Sequence, residues 1–163
     1  MTGVRPATES DVPALCDLYL EFHEFHAERI PGHLRSLRPV WTAEKAGLEG
    51  RLREIVAGSD EDILVAEAEG KLSGFAEVHI REVQATSARP AARYCRLQSM
   101  FVPEDRRRSG TGRRLLAASE SWARARGAKE IRLDVWEFDE GPSGFYEKHG
   151  YRPYRRNYVR SLR

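Results

Sequence analysis

Cysteine is nearly missing: Cys16 and Cys95 are the only two in 163 residues, far apart and without CxxC or metal-ligand spacing. No disulfide framework or thiolate metal site is therefore expected, and two reduced, partly buried thiols suit an intracellular protein. Long apolar runs are missing as well. Nothing approaches the roughly 20 residues that a bilayer-spanning helix needs, and no basic start leads into an apolar stretch. Membrane insertion and secretion are not expected, and a cytoplasmic location is. Lysine is scarce, confined to Lys45, Lys71, Lys129 and Lys148, so arginine supplies most of the positive charge. Against 27 Lys+Arg stand 25 Asp+Glu, and a net charge of +2 is too small for nucleic-acid binding by bulk electrostatics. Repeats, low-complexity tracts and linkers are absent, which predicts one domain over residues 1–163.

What is present is a regular succession of elements. Val4 to Thr8 reads as a short strand, and Thr8-x-x-Asp11 resembles a capping box that opens a helix running to about Ile30. Val12, Leu15, Cys16, Tyr19, Phe22, His23 and His26 recur at three- and four-residue steps on its inner face, and Pro31-Gly32 ends it. Trp41 to Ala57 is a second helix. Ile63–Glu69 and Lys71–Glu82 are strands joined tightly at Glu69-Gly70, an antiparallel hairpin. Ala92 to Val102 is another strand, stopped by Pro103, and a helix follows from about Gly110 to Gly127. Ile131, Leu133 and Val135 alternate with Arg132 and Asp134, so Glu130 to Glu137 reads as a strand. Pro142 to His149 is a short helix, and Tyr151 to Leu162 is expected to form a terminal strand or short hairpin. The order β-α-α-β-β-β-α-β-α-β predicts an α/β (α+β) fold with helices on both faces of the sheet.

The stretch RRRSGTGRR, Arg106 to Arg114, joins a strand to a helix through two glycines. Such a turn leaves unpaired N–H groups at the positive end of the helix dipole, which suits a phosphate or pyrophosphate. It is neither a Walker A loop, since Gly112 is followed by Arg113-Arg114, nor a Rossmann fingerprint. Arg107-Arg108-Ser109-Gly110-Thr111-Gly112 resembles the Arg/Gln-x-x-Gly-x-Gly/Ala signature of the GNAT superfamily of acyl-CoA-dependent N-acyltransferases. It follows a strand ending Met100-Phe101-Val102-Pro103, where that family carries it. Downstream, LDVWEFDEGPSGFYEKHGYRP, Leu133 to Pro153, is similar to the family's next motif, a strand followed by a helix with a Phe-Tyr pair. The element order extends the resemblance over nearly the whole chain, and implies a mixed, mostly antiparallel central sheet.

The resemblance implies acetyl-CoA as cosubstrate, no metal, and a small-molecule amine as partner. The loop Arg107, Arg108, Ser109, Gly110, Thr111 and Gly112 would hold the pyrophosphate, while the main chain of Met100, Phe101 and Val102 would pair with the pantetheine arm. Asp139 stands where relatives often have Asn and is a further candidate cofactor contact, accepting rather than donating a hydrogen bond. Tyr146 of the Phe145-Tyr146 pair matches the position that commonly protonates the departing thiolate; packing beneath the cofactor is its other reading.

For the general base, many relatives carry an acid near Gln98, and glutamine cannot accept the proton. Glu77 and His79 share one face of an alternating strand, and either could act directly or through water. His23 and His26 would lie near the acceptor pocket if the first helices line it as they do in the family; hydrogen-bonded boundary residues are the alternative. HEFH lacks the HExxH spacing of a zinc protease. The expected activity is direct attack of a primary amine on acetyl-CoA in a ternary complex, with a protein amine, or a non-catalytic acyl-CoA-binding module, as alternatives. A homodimer is possible, since relatives often pair through sheet edges or C-terminal strands.

Overall fold

The computed structural model describes residues 3–163. Strands β1 (Gly3–Pro6), β2 (Glu61–Ala68), β3 (Lys71–Val83), β4 (Ala92–Phe101) and β5 (Ile131–Arg132) form one sheet in the order β1-β2-β3-β4-β5. Every pairing is antiparallel except β4 with β5, which is parallel. Glu69 and Gly70 make the two-residue turn between β2 and β3, with φ of 54° and 72°. Two positive φ values are the type I′ geometry whose twist matches the flanking strands, and glycine supplies one at no steric cost.

Helices α1 (Val12–Arg29) and α2 (Trp41–Ala57) cover one face of the sheet; α3 (Thr111–Ala125) and α4 (Ser143–Lys148) cover the other. Alternation in β3 splits the core accordingly. Phe75 lies under α1 with Leu15, Tyr19 and Leu52, while Ala76, Val78 and Ile80 face Leu115, Leu116 and Trp122 of α3. The start of α1 is secured much as its sequence suggests: the Thr8 N–H donates to the Asp11 carboxylate at 2.7 Å. Arg5 clamps Asp11 at 2.7 and 3.0 Å and reaches Glu67 of β2, tying the first strand to the helix entry.

The mixed fold agrees with the expectation, but two elements differ. The strand expected at 130–137 is formed only at Ile131–Arg132, with the Glu130 carbonyl accepting from the Cys95 N–H at 2.8 Å just before it. Leu133 and Val135 still pack on the α3-side core while Trp136 is exposed, so the alternation signalled burial and not a ladder. The terminal strand is not formed: residues 151–163 have no regular structure. Their apolar residues Tyr154, Tyr158, Val159 and Leu162 are 66–93% exposed and do not alternate, and Pro153 lacks the N–H a ladder would use.

Buried charge ties the first layer together. Glu77 of β3 is fully buried and accepts hydrogen bonds from Tyr19 of α1, from Arg51 of α2 at 2.8 Å and from His79 at 2.7 Å. Burial pushes its carboxyl up, yet the donors His79, Arg51 and Tyr19 outweigh that and hold it at about 2. Its stabilising contribution is therefore fully present above the ordinary value of 4.5 and is lost as pH falls toward 2. Glu77→Gln should destabilise the protein by about 3 kcal/mol at pH 7, the lower end for breaking a buried pair because Arg51 is half exposed. Urea unfolding from pH 7 to pH 2 checks both points: the parent should lose stability through the acid range more steeply than the variant.

Candidate active site

The sheet opens at its β4–β5 edge. Among the described residues the ladder there consists of Cys95↔Ile131 and Arg96↔Arg132. Just beyond, the β3–β4 register steps from Val78↔Leu97 to Glu77↔Ser99, leaving Gln98 as a bulge. A bulge bends its strand and increases the local twist, so β4 departs from the chain that continues β5. The C-terminal half of α1 lies across the split. Phe22 and Phe25 pack on Phe101 of β4 at 5.8 and 6.1 Å, while Phe25 and His26 pack on Phe138 beyond β5 at 5.9 and 6.1 Å.

At the mouth of the split the chain turns into α3. Arg108 and Gly110 have φ of 62° and 78°, left-handed conformations that fold Arg107–Gly112 tightly. No side chain caps α3; its first carbonyl bond runs from the Arg114 N–H to Gly110 at 3.1 Å. The N–H groups of Thr111, Gly112 and Arg113 thus have no protein acceptor among the described residues. Arg114 Nε is buried and equally without a partner. The Ser109 hydroxyl holds the loop through the Arg106 carbonyl and the Thr111 hydroxyl, 2.8 Å each, and Phe145 of α4 closes to 3.4 Å of where a Cβ on Gly112 would lie. Unpaired donors at a helix start, beside an orphaned guanidinium nitrogen, fit a pyrophosphate.

The expected cofactor residues divide. Ser109, Gly110, Thr111 and Gly112 form this cradle, and Arg108 supplies its left-handed turn. Arg107 instead folds back, its Nε donating to the Val102 carbonyl at 2.9 Å and its guanidinium 4.6 Å from the Phe25 ring centre. Met100 packs on the α3-side core and Phe101 is buried on the α1 side. Asp139 is exposed at the far side of the split.

Tyr146 lies on the α3 side, packed against Phe145 and Tyr151. Burial pushes its phenol up to about 12, which keeps it protonated at physiological pH. Its hydroxyl has no hydrogen-bond partner among the described residues and is not sealed from solvent. Glu77, by contrast, has its carboxylate committed to three donors, so the fold uses the group that sequence suggested as a base. His79 is occupied too, with Nε2 on Glu77 and Nδ1 at 3.2 Å from Glu61. His23 Nε2 donates to the Arg35 carbonyl at 2.7 Å, fastening the α1–α2 connection. His26 donates from Nδ1 to the Phe22 carbonyl at 2.8 Å.

Two contacts at the split escaped sequence reasoning. His33 stacks on Trp136 with ring centres 5.5 Å apart, and Arg96 pairs with Asp134 at 2.7 Å. The outward positions of the alternating run, Asp134 and Trp136, were the available signal. Beside α1 lies an open cleft of about 340 Å³, lined by Glu21, Glu24, Glu28, Glu104 and Asp105 around Phe25 and Phe101, with Arg29 and Arg38 also in its lining. Among the described residues no group of three or more His, Cys, Asp or Glu is placed to hold a metal ion, and no helix is long and apolar enough to cross a membrane.

Residues 13–151 match the model of the Acetyltransferase (GNAT) family. The chain is 26% identical over 149 residues to the uncharacterized N-acetyltransferase YhfO of Bacillus subtilis, covering 91% of this chain and 89% of that one. It is 31% identical over 97 residues to the aminoglycoside N(6')-acetyltransferase type 1 of Stenotrophomonas maltophilia, 58% of this chain and 61% of that protein. Among solved structures, a mutant of the BH1408 protein from Bacillus halodurans superposes with a TM-score of 0.87 at 24% identity, over 98% of this chain and 99% of that one. The chain therefore belongs to the GNAT acetyltransferase family, as an acyltransferase enzyme.

Proposed function

We propose that the enzyme moves an acetyl group from acetyl-CoA to a primary amine of a small molecule, by direct attack within a ternary complex. The observation that carries this reading is the set of unpaired N–H groups at Thr111, Gly112 and Arg113 beside Arg114 Nε, a ready cradle for the pyrophosphate. Main-chain groups of Met100 and Phe101, past the bulge and without a β5 partner, are open to the pantetheine arm, and the Val102 N–H extends that strip while its carbonyl is taken by Arg107. The thioester then lies near the bulge, where a backbone N–H of the splayed strand can face the developing oxyanion. Tyr146, neutral and unbonded, is the donor to the departing sulfur. Asp139 and His23 would border the bound ligands, and His79 would act through the Glu77 cluster. An amine acceptor suits the acid-lined cleft beside Phe25 and Phe101, and the aminoglycoside enzyme to which the chain is similar acts on such an amine.

Calorimetric titration with acetyl-CoA, followed by thiol release with neamine, spermidine or lysine, tests the reading: one-to-one binding and amine-dependent thiol release are expected, and no binding would overturn it. Gly110→Val forces a β-branched residue into a left-handed turn at a cost of about 1–2 kcal/mol. Acetyl-CoA affinity should accordingly fall about tenfold, read in the same titration. Tyr146→Phe should lower kcat about 100-fold with acetyl-CoA affinity changed less than about twofold; unchanged turnover would remove Tyr146 from the mechanism.

A further inference from the structure

Acetyl transfer needs a group that takes a proton from the acceptor, which arrives as an ammonium ion. The acceptors that the sequence offers at the bulge are spent. Glu77 is held by three donors, both His79 nitrogens face Glu61 or Glu77, His23 is bonded to the α1–α2 connection, and Gln98 at the bulge has no basic atom. His26 differs. Its Nδ1–H donates to the Phe22 carbonyl, which fixes the tautomer and leaves the lone pair on Nε2. That nitrogen has no partner among the described residues and is not sealed from solvent. The ring packs edge-on against its α1 neighbours Phe22 and Phe25, which themselves rest on Phe101 of β4, and against Phe138 beyond β5.

We propose that His26 is the catalytic base, accepting the ammonium proton of the amine on Nε2; this rests on the acyl-transfer reading above. Tyr146 stands on the opposite face of the same sheet, so base and acid flank the split from its two sides. Proton accounting closes. The ammonium passes one proton to Nε2 and thence to solvent, and the neutral amine forms the C–N bond. As the C–S bond breaks, Tyr146 gives its proton to sulfur, the adduct nitrogen releases one proton to solvent, and the phenolate of Tyr146 regains a proton from solvent, so that one proton is released per turnover.

The surroundings keep the imidazole basic but uncharged. Burial lowers its pKa, and the bond to Phe22 opposes that only in part; Arg29 and His23 of α1 and Arg107 of the loop lower it further. Glu104 offsets part of this charge through Arg29, at 2.7 Å, and Arg107, at 3.8 Å. From beyond β5 the Phe138 ring packs on it, and the flanking Glu137 and Asp139 are exposed.

His26→Asn retains a donor for the Phe22 carbonyl and removes the Nε2 lone pair. With whichever of neamine, spermidine and lysine the parent acetylates, kcat/KM of the variant should fall about 100-fold at pH 7.5. The parent's acid limb, with its midpoint below about 6.5, should vanish in the variant, while acetyl-CoA binds both proteins within about twofold. A variant within about threefold of the parent and with the limb intact overturns the proposal and leaves the acyl-transfer reading standing. Should the variant not fold, nuclear magnetic resonance of the parent's imidazoles decides: the Nδ1–H tautomer, with His26 ring signals displaced by acetyl-CoA, is expected, and the other tautomer or no displacement overturns it. A parent that binds no acetyl-CoA overturns both readings together.

Discussion

Two residue pairs hold β4 to β5, and the consequences of so short a ladder run through the molecule. A sheet that stays paired buries its backbone donors and acceptors in itself; one that parts after Arg96 and Arg132 leaves a strip of main chain to be satisfied by something else. The Gln98 bulge makes the parting definite by bending one strand and not the other. The aromatic stripe of α1 then has a second task besides covering the sheet, since Phe25 alone touches both separated strands, through Phe101 and Phe138. The uncapped end of α3 falls at the open end of that gap because the chain leaves β4 directly into the loop.

The two faces of the sheet handle polarity differently. On the α1–α2 face the Glu77 carboxylate is fully buried and paired with Tyr19, Arg51 and His79, an arrangement costly to break. On the α3–α4 face polar atoms near the split are left unpaired, as at Arg114 Nε and the Tyr146 hydroxyl. Satisfied groups hold the frame, and unsatisfied ones stay free for a ligand.

Local chemistry made much of this legible in the chain itself. The Thr8 to Asp11 start of α1, the Glu69-Gly70 turn and the Gly110-Thr111-Gly112 loop each depend on a few neighbouring residues, and each folds as those residues predict. Long-range pairing was not legible. Leu133 and Val135 alternate because they are buried, and alternation says nothing of whether a hydrogen-bonding neighbour exists. The terminal strand expected over Tyr151 to Leu162 likewise lacks a neighbour to pair with. Glu77 read as a base because sequence shows a carboxylate on a strand face but hides the guanidinium of Arg51, a helix away, that claims it. Arg107 read as a phosphate contact, although its side chain has a nearer partner in the Val102 carbonyl.

The scarcity of cysteine becomes useful once the layers are known. Cys16 is sealed in the α1 half of the core and Cys95 in the α3 half, and burial raises both thiols, Cys95 to about 11. Neither can react without an opening of its own layer, because the thiolate is both rare and inaccessible. The chain thus carries one native alkylation reporter on each side of the sheet, and the two labelling rates separate loosening of α1 and α2 from loosening of α3 and α4.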